Sequence, residues 1–251
     1  MPNEAYLSTW KTYQSAWSDV GDAERKRLLQ ASVSENCIYA DPITDERHGH
    51  AELIEKIRNS QASYPGVSFR NDQLTDYGDQ GLSEWTMYGA NGAELLRGAS
   101  YARFGEDGRL TRMSGFFKPP GPVGAESAPA PTAASITWDT YQAAWARISL
   151  AQRRTLLTRS VDQAGIYSDP AGVCAGRDKL IAYVDGFQEK FSGDWFRQTL
   201  FIEYDGQAFS RWERVPADGS VPTPGASYAR FQADGRLIQM SGFPGSALRQ
   251  N

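Results

Sequence analysis

The chain contains the stretch Thr9-Trp10-Lys11-Thr12-Tyr13-Gln14-Ser15-Ala16-Trp17 and repeats it as Thr137-Trp138-Asp139-Thr140-Tyr141-Gln142-Ala143-Ala144-Trp145. A second pair is Tyr39-Ala40-Asp41-Pro42 and Tyr167-Ser168-Asp169-Pro170, and a third is Gly98-Ala99-Ser100-Tyr101-Ala102-Arg103-Phe104 and Gly225-Ala226-Ser227-Tyr228-Ala229-Arg230-Phe231. Of the seven tryptophans only Trp195 has no counterpart in the other copy. Matching segments in the same order indicate that one unit has been duplicated in tandem.

The duplication divides the chain into two domains, residues 1–118 and 136–251. Between them lies the segment 119–135, which is rich in Pro, Ala and Gly and has no apolar periodicity. Such a composition is typical of a semi-extended linker. We expect mild proteolysis to cut the linker first and to leave two resistant fragments.

Within one copy the hydrophobic spacing predicts three helices and five strands. Trp10, Tyr13 and Trp17 share one helical face, and further helices are predicted at 25–33 and 51–63. A short strand at 37–40 ends before Pro42, because proline interrupts a strand. Four later strands are predicted at 67–76, 82–89, 98–104 and 110–117. The sequence therefore predicts an α+β fold, with three helices on one face of a curved antiparallel sheet in each copy.

Composition limits the possible partners. The chain has 26 Lys and Arg against 30 Asp and Glu, a net charge of -4, so we expect it to bind neither nucleic acid nor an anionic membrane. It has no apolar run of about 18 residues, the length a membrane span needs. The start Met1-Pro2-Asn3-Glu4 is unlike a signal peptide. With only Cys37 and Cys174 as cysteines, we expect a reduced, cytoplasmic protein without a metal site or cofactor.

The strand ending in Tyr-x-Asp-Pro and the last strand, Gly108-Arg109-Leu110 followed by Met113-Ser114-Gly115-Phe116, resemble the SnoaL-like branch of the nuclear transport factor 2-like superfamily. The resemblance covers 6–118 and again 136–245. It implies that each copy is a cone-shaped α+β barrel with a deep, largely apolar cavity between sheet and helices. The superfamily includes polyketide cyclases, isomerases, epoxide hydrolases, dehydratases and non-catalytic modules, so the resemblance does not select one chemistry.

The ketosteroid isomerases of that superfamily imply candidate catalytic residues. Their proton-shuttling base is an Asp followed by Pro, which matches Asp41 and Asp169. Their oxyanion donor is a tyrosine of the first helix, whose place Tyr13 and Tyr141 fit. The place of their second donor, a protonated Asp, is held here by serine, Ser100 in the first copy and Ser227 in the second. Tandem epoxide hydrolases use a second acid, and the copies share no glutamate in the region where it is expected.

Strand alternation predicts that Ser100, Ala102 and Phe104 face the cavity, while Tyr101 and Arg103 face outward. Large aromatic side chains suit the wall of an apolar cavity. The candidate ligand-binding residues are Trp17, Trp145, Trp85, Trp212, Ser100, Ser227, Phe104 and Phe231.

Each candidate also has a structural interpretation. Asp-Pro can simply end a strand and begin a turn, the tyrosines can be core residues, and a serine can merely make room. The leading hypothesis is that one or both cavities bind a small, largely apolar molecule, with possible Asp-mediated proton transfer of the isomerase, cyclase or dehydratase type. The alternatives are a non-catalytic scaffold with filled cavities and an epoxide hydrolase-like enzyme.

The outward residues of the third repeated segment predict how the copies assemble. Tyr101 and Arg103 recur as Tyr228 and Arg230, so a pseudo-twofold contact would place the same patch on both sides. Tethering raises the effective concentration of one copy around the other. We therefore expect a monomer that is internally a pseudo-dimer.

Overall fold

The computed structural model describes residues 3–118 and 130–245. These residues form two compact units, one on each side of the segment 119–129. Each unit corresponds to one copy of the repeat, and each is described by itself.

The first repeat contains the three helices that the sequence predicts: α1 (Glu4–Ser15), α2 (Asp22–Ser32) and α3 (Gly49–Ser63). Asn3 caps α1, because its side-chain oxygen accepts a hydrogen bond from the Ala5 amide at 3.0 Å. Trp10 and Tyr13 are the buried residues of α1, and Trp17 is buried just beyond its end. The stripe predicted from these three aromatic residues therefore does face the core.

Six strands complete the first repeat: β1 (Val33–Asp41), β2 (Thr44–His48), β3 (Ser68–Tyr77), β4 (Gln80–Tyr88), β5 (Glu94–Phe104) and β6 (Leu110–Phe116). They form one sheet in the order β2-β1-β6-β5-β4-β3. The helices pack against this sheet, so the α+β class is confirmed.

The sheet is mixed, whereas the sequence predicts a wholly antiparallel one. β1 runs parallel to β6, with Tyr39 opposite Met113. The antiparallel prediction rested on the meander from β3 to β6, whose hairpins show their direction in the sequence. β1 joins that meander only through β2 and α3, and a connection that contains a helix allows a parallel pairing.

The sheet is also open, because β2 and β3 are its two edges and do not pair with each other. The unit is therefore a curved open sheet covered by helices rather than a closed barrel. β2 was missed because Thr44-Asp45-Glu46-Arg47-His48 lacks the apolar alternation that marks a strand.

The second repeat has the same element order and the same connections. Its elements are α4 (Ala133–Ala143), α5 (Leu150–Ser160), β7 (Val161–Asp169), β8 (Gly172–Ala175), α6 (Arg177–Lys190), β9 (Trp195–Tyr204), β10 (Gln207–Val215), β11 (Thr223–Phe231) and β12 (Leu237–Pro244). The sheet order is β8-β7-β12-β11-β10-β9. The two matching halves agree with the tandem duplication read from the sequence.

The linker predicted at 119–135 ends before residue 135, because a helix begins within it. α4 begins at Ala133, because Thr132 and Ser135 form a reciprocal capping box that starts the helix earlier than the aromatic stripe indicates. Residues 130–132 are in neither helix nor strand. The rest of the predicted linker, 119–129, lies outside the described residues.

A buried arginine joins the first two helices of each repeat. Arg25 Nε donates to the Ala16 carbonyl at 3.0 Å, and Arg153 Nε donates to the Ala144 carbonyl at 3.0 Å. These bonds satisfy carbonyl groups that the end of a helix leaves without a partner. They fix the turn that carries Trp17 and Trp145 into the core.

The predicted alternation along β5 is confirmed for the residues facing the core. Ala102 and Phe104 belong to the first core cluster. On the other face Arg103 is exposed, but Tyr101 is fully buried and its hydroxyl donates to Gln80 Oε1 at 2.8 Å. Tyr228 is likewise buried, and its hydroxyl donates to the side chain of Gln207. The pairing of the two repeats through this face stays a prediction.

Candidate functional site

Each repeat encloses a cavity between its helices and its sheet. The first has a volume of about 560 Å³ and the second about 280 Å³. The residues lining the first are Trp10, Tyr13, Gln14, Trp17, Tyr39, Asp41, Ile43, Lys56, Ser60, Tyr64, Phe69, Trp85, Met87, Leu95, Leu96, Ser100, Gly115 and Phe117. Those lining the second are Trp138, Tyr141, Gln142, Trp145, Tyr167, Asp169, Ala171, Tyr183, Phe187, Phe191, Phe196, Trp212, Arg214, Thr223, Ser227, Gly242 and Pro244.

Most of the residues predicted to form the site line these cavities. Tyr13, Trp17, Asp41, Trp85 and Ser100 contribute to the first, and their counterparts Tyr141, Trp145, Asp169, Trp212 and Ser227 contribute to the second.

Phe104 and Phe231 lie elsewhere, although both were candidates for ligand binding. The Phe104 ring stacks on Tyr6 with ring centroids 3.8 Å apart, within the core below the cavity wall. Phe231 packs against the second core cluster. Strand alternation predicts which face of the sheet a side chain lies on. It does not predict which residues of that face line the cavity, because the core on that face extends beyond the cavity.

Asp41 ends β1 and is almost fully buried. Its Oδ2 accepts from the Tyr39 hydroxyl at 2.8 Å and forms an ion pair with Lys56 Nζ at 3.0 Å. Its Oδ1 accepts from the Ile43 amide at 3.0 Å, which closes the turn after Pro42. Asp41 thus shapes a turn and presents a carboxylate to the cavity, and its role as a base stays a prediction.

Asp169 has the same position in the second repeat but different partners. Its Oδ2 accepts from the hydroxyls of Tyr167 at 2.8 Å and Tyr183 at 2.6 Å. Its Oδ1 accepts from the amides of Ala171 and Gly172. Among the residues that the structure describes, Asp169 forms no ion pair. The second carboxylate is therefore held by hydroxyl and amide donors only.

The two helix tyrosines are kept as neutral phenols. Burial raises the pKa of Tyr13 and of Tyr141 far above the ordinary value. Tyr13 packs against Trp10 and, edge on, against Trp17. Each hydroxyl therefore keeps its proton and remains a possible hydrogen-bond donor in the cavity wall.

Ser100 and Ser227 are held by tryptophan. Trp85 Nε1 donates to Ser100 Oγ at 2.9 Å, and Trp212 Nε1 donates to Ser227 Oγ at 2.9 Å. A serine hydroxyl can accept and donate at once. Among the described residues neither serine hydroxyl donates to an acceptor, so each can offer its hydrogen to a bound molecule.

Sequence reasoning missed the third helix of each repeat as a source of cavity residues. Lys56 of α3 lies where α6 has Tyr183, and Ser60 lies where α6 has Phe187. The Phe187 ring packs on Trp145 and Phe196 and occupies space that Ser60 leaves open. This exchange accounts in part for the smaller second cavity. Aligning the two helices on Leu53 and Leu180 would have shown the pairs, but no motif marks them.

The cysteines and histidines do not add chemistry to these walls. Cys37 and Cys174 are buried free thiols, and burial raises the pKa of the Cys37 thiol to about 11. The ring nitrogen Nε2 of His50 lies 2.9 Å from the carbonyl oxygen of Val33. Across 3–118 and 130–245 no cluster of three or more His, Cys, Asp or Glu side chains could hold a metal ion. No helix in those ranges is long and apolar enough to cross a membrane.

The first repeat is similar to a known protein family. Residues 13–113 match the family model of the SnoaL-like domain. A search of curated proteins found no match.

Solved structures resemble one repeat at a time. A candidate isomerase of the SnoaL-like family from Agrobacterium tumefaciens C58 is 21% identical, with a TM-score of 0.44, over 47% of this chain and 100% of its own. An NTF2-like protein of unknown function from Exiguobacterium sp. 255-15 is 19% identical, with a TM-score of 0.38, over 44% and 99%. A candidate SnoaL-like polyketide cyclase from Jannaschia sp. CCS1 is 10% identical, with a TM-score of 0.40, over 46% and 86%.

Proposed function

The first repeat matches the family model of the SnoaL-like domain, and we propose that the protein binds a small, largely apolar molecule in one or both of its cavities. The observation that carries the proposal is the composition of the two walls. Trp17, Phe69 and Trp85 surround the first cavity with aromatic surface, and Asp41 and Ser100 add a few polar groups. Ligand sites in proteins combine a concave apolar wall with a small number of placed polar groups in this way.

The size of the first cavity supports the same conclusion. Its volume of about 560 Å³ lies within the usual range for small-molecule sites, roughly 300–1,000 Å³. The alternative, a scaffold whose cavities are filled core, requires side chains to close this space, since protein interiors are normally packed without large voids.

A direct test uses the neutral apolar dye N-phenyl-1-naphthylamine and the variant Ser60→Phe. This variant places in the first cavity the side chain that occupies the corresponding position of the second. We expect saturable fluorescence enhancement with the wild-type chain and weaker binding with Ser60→Phe. The matched control is Ser8→Phe, an exposed position on α1. Dye binding that is absent, or equal in all three proteins, would reject the first cavity as a binding site.

Proton transfer is the second candidate function, and the cavity position of Asp41 and Asp169 favours it. Asp169 accepts four hydrogen bonds, so taking up a proton requires one donor to move away, and the hydroxyl of Tyr183 can do so by rotation. Asp41 accepts three, but its carboxylate is paired with the ammonium of Lys56, and taking up a proton would break that ion pair. Asp169 is therefore the better supported base, in chemistry of the isomerase, cyclase or dehydratase type.

The two-acid epoxide hydrolase alternative has less support. Among the described residues that line each cavity there is one carboxylate, Asp41 in the first and Asp169 in the second. A mechanism that divides acid and base roles between two neighbouring carboxyl groups lacks its second group there.

Asp169 can be tested as a base with 5-nitrobenzisoxazole, a compact aromatic probe. The base removes the carbon-bound proton, the ring nitrogen–oxygen bond breaks, and the oxygen leaves as a coloured cyanophenolate. We expect saturable elimination above the rate in buffer, and loss of the catalysed rate in Asp169→Asn, which keeps the shape but removes the basic lone pair. A rate unchanged by that substitution, or no rate above buffer, would exclude Asp169 as the base.

A further inference from the structure

A second, polar pocket adjoins the first cavity at the α3 side. It has a volume of about 250 Å³ and shares four lining residues with the cavity: Ile43, Lys56, Ser60 and Tyr64. Its other lining side chains are polar, among them Thr44, Arg47, Glu55 and Asn59. We call this pocket the polar annex.

We propose that the first cavity binds an amphipathic carboxylic acid, with its apolar body between the aromatic walls and its carboxylate in the polar annex at Arg47 and Lys56. This inference rests on the proposed binding function and specifies the class of ligand.

Both cations of the polar annex have donors available for a ligand. Among the described residues the guanidinium of Arg47 has no hydrogen-bond partner or ion pair, and its Nε is buried. Lys56 Nζ donates to Asp41 and to Thr44, which leaves the third hydrogen of the ammonium free. A carboxylate can accept from both, and its planar shape matches the donors of a guanidinium.

Exposed apolar surface lies where the first cavity meets the polar annex. Ile43 and Tyr64 line both spaces, yet their side chains are 61% and 41% exposed. A ligand that passes from the cavity into the polar annex would cover both of them, and burying such apolar surface favours binding. Among the described residues that line the polar annex, the acidic side chain is that of Glu55, which is exposed, so water screens its repulsion of an anion.

The second repeat has other residues at the positions of Arg47, Lys56 and Ser60. Strand pairing places Cys174 at the position of Arg47. Tyr183 and Phe187 replace Lys56 and Ser60. The cation that does line the second cavity, Arg214, makes no hydrogen bond through its buried Nε, but it differs from Arg47 because it forms an ion pair with Asp194 at 3.5 Å and lies over the ring of Phe191. A preference for an acid therefore belongs to the first cavity.

The test compares 1-pyrenebutyrate with 1-pyrenebutanol, which have the same body and differ in the carboxylate. We expect the full-length wild-type chain to bind the acid about tenfold more tightly than the alcohol, since a charge-assisted hydrogen bond contributes at least that factor. Arg47→Gln should bind both compounds with similar affinity. Arg47→Lys should keep part of the preference, and the matched control Arg154→Gln, an exposed arginine of the second repeat, should keep all of it.

Two results would overturn the inference. Equal and saturable binding of acid and alcohol to the wild-type chain would show that the site does not recognise a carboxylate. The first cavity would still stand as a binding site for apolar molecules. An acid preference that persists in Arg47→Gln would reject the polar annex as the place where the carboxylate binds. Binding of neither compound would count against the proposed function as well.

Discussion

Asp41 and Asp169 show how the same residue acquires a different role in each repeat. Asp41 is 3% exposed and balances the charge of Lys56, whose side chain is 11% exposed. Asp169 is partly buried and accepts hydrogen bonds from Tyr167 and Tyr183. Removing the negative charge therefore leaves a largely buried cation without its ion-pair partner in the first repeat but not in the second.

This contrast predicts unequal losses of stability. Asp41→Asn should lower the free energy of unfolding by about 3 kcal/mol, because breaking a buried ion pair strands the remaining charge. Asp169→Asn should cost less, about 1 kcal/mol, since its carbonyl oxygen can still accept from the two backbone amides and the hydroxyls of Tyr167 and Tyr183 can rotate to accept from the new NH2 group. Urea unfolding of the two variants measures the difference, and Asp41→Asn combined with Lys56→Met should recover part of the loss. Equal losses for the two single variants would contradict the ion-pair account.

The buried phenols predict a loss of stability at alkaline pH. Burial raises the folded-state pKa of Tyr13 and Tyr141 above 10, whereas an unfolded chain releases these protons near pH 10. The stabilisation is complete below pH 10 and is lost above it, by about 1.4 kcal/mol per pH unit for each tyrosine. Urea titrations between pH 8 and about pH 11 should show this slope. The double variant Tyr13→Phe, Tyr141→Phe should show a shallower one; an unchanged slope would mean that other groups cause it.

The strand pair β4–β5 places the tryptophan of the cavity wall over a glycine. A Cβ atom on Gly98 would lie 2.3 Å from Cζ2 of Trp85, and one on Gly225 would lie 2.2 Å from Cη2 of Trp212. The indole can reach Ser100 only because Gly98 has no side chain. The repeated glycine is thus part of the cavity wall.

Gly98→Ala should therefore displace Trp85 and destabilise the first repeat by about 1–3 kcal/mol, the usual cost of overpacking a core. Weaker binding of N-phenyl-1-naphthylamine should accompany the loss, and both are measured on the same protein. The matched control is Gly186→Ala on α6, where an added Cβ meets nothing within 4 Å. That change should be neutral or stabilising, because alanine suits a helix better. Similar behaviour of both variants would show that Trp85 does not need the glycine.

The elements that carry their own periodicity could be predicted from the sequence. The helical stripe of Trp10 and Tyr13 and the hairpins of the meander are local patterns, and they appear in the structure at nearly the expected places. β2 could not be predicted, because its pairing with β1 depends on backbone geometry rather than on apolar residues. The parallel contact between β1 and β6 likewise joins segments that are distant in the chain.

The same distinction applies to the candidate site. Asp41 and Ser100 were found because they belong to repeated or family-like motifs. Lys56 and Arg47 were not, since their importance comes from a position beside Asp41 and the polar annex that only the folded chain creates. Residues that differ between the repeats leave no signal in a search for what the repeats share.

The whole molecule joins two repeats in one chain, and the pseudo-dimer predicted from the sequence remains a proposal. Tyr101 and Tyr228 are fully buried, and each bonds a glutamine of its own repeat. If the two repeats pair with each other within one chain, light scattering should give the mass of a monomer, 27.7 kDa. A stable dimer of chains at micromolar concentration would show instead that repeats of different chains associate with each other.

The most direct test of the central claim is a crystal structure of the full chain grown with N-phenyl-1-naphthylamine. The account predicts electron density for the dye inside the first cavity, in contact with Trp17, Phe69 and Trp85. Side chains that fill the cavity, or dye bound only on the outer surface, would contradict the claim that the first cavity is a binding site for an apolar molecule.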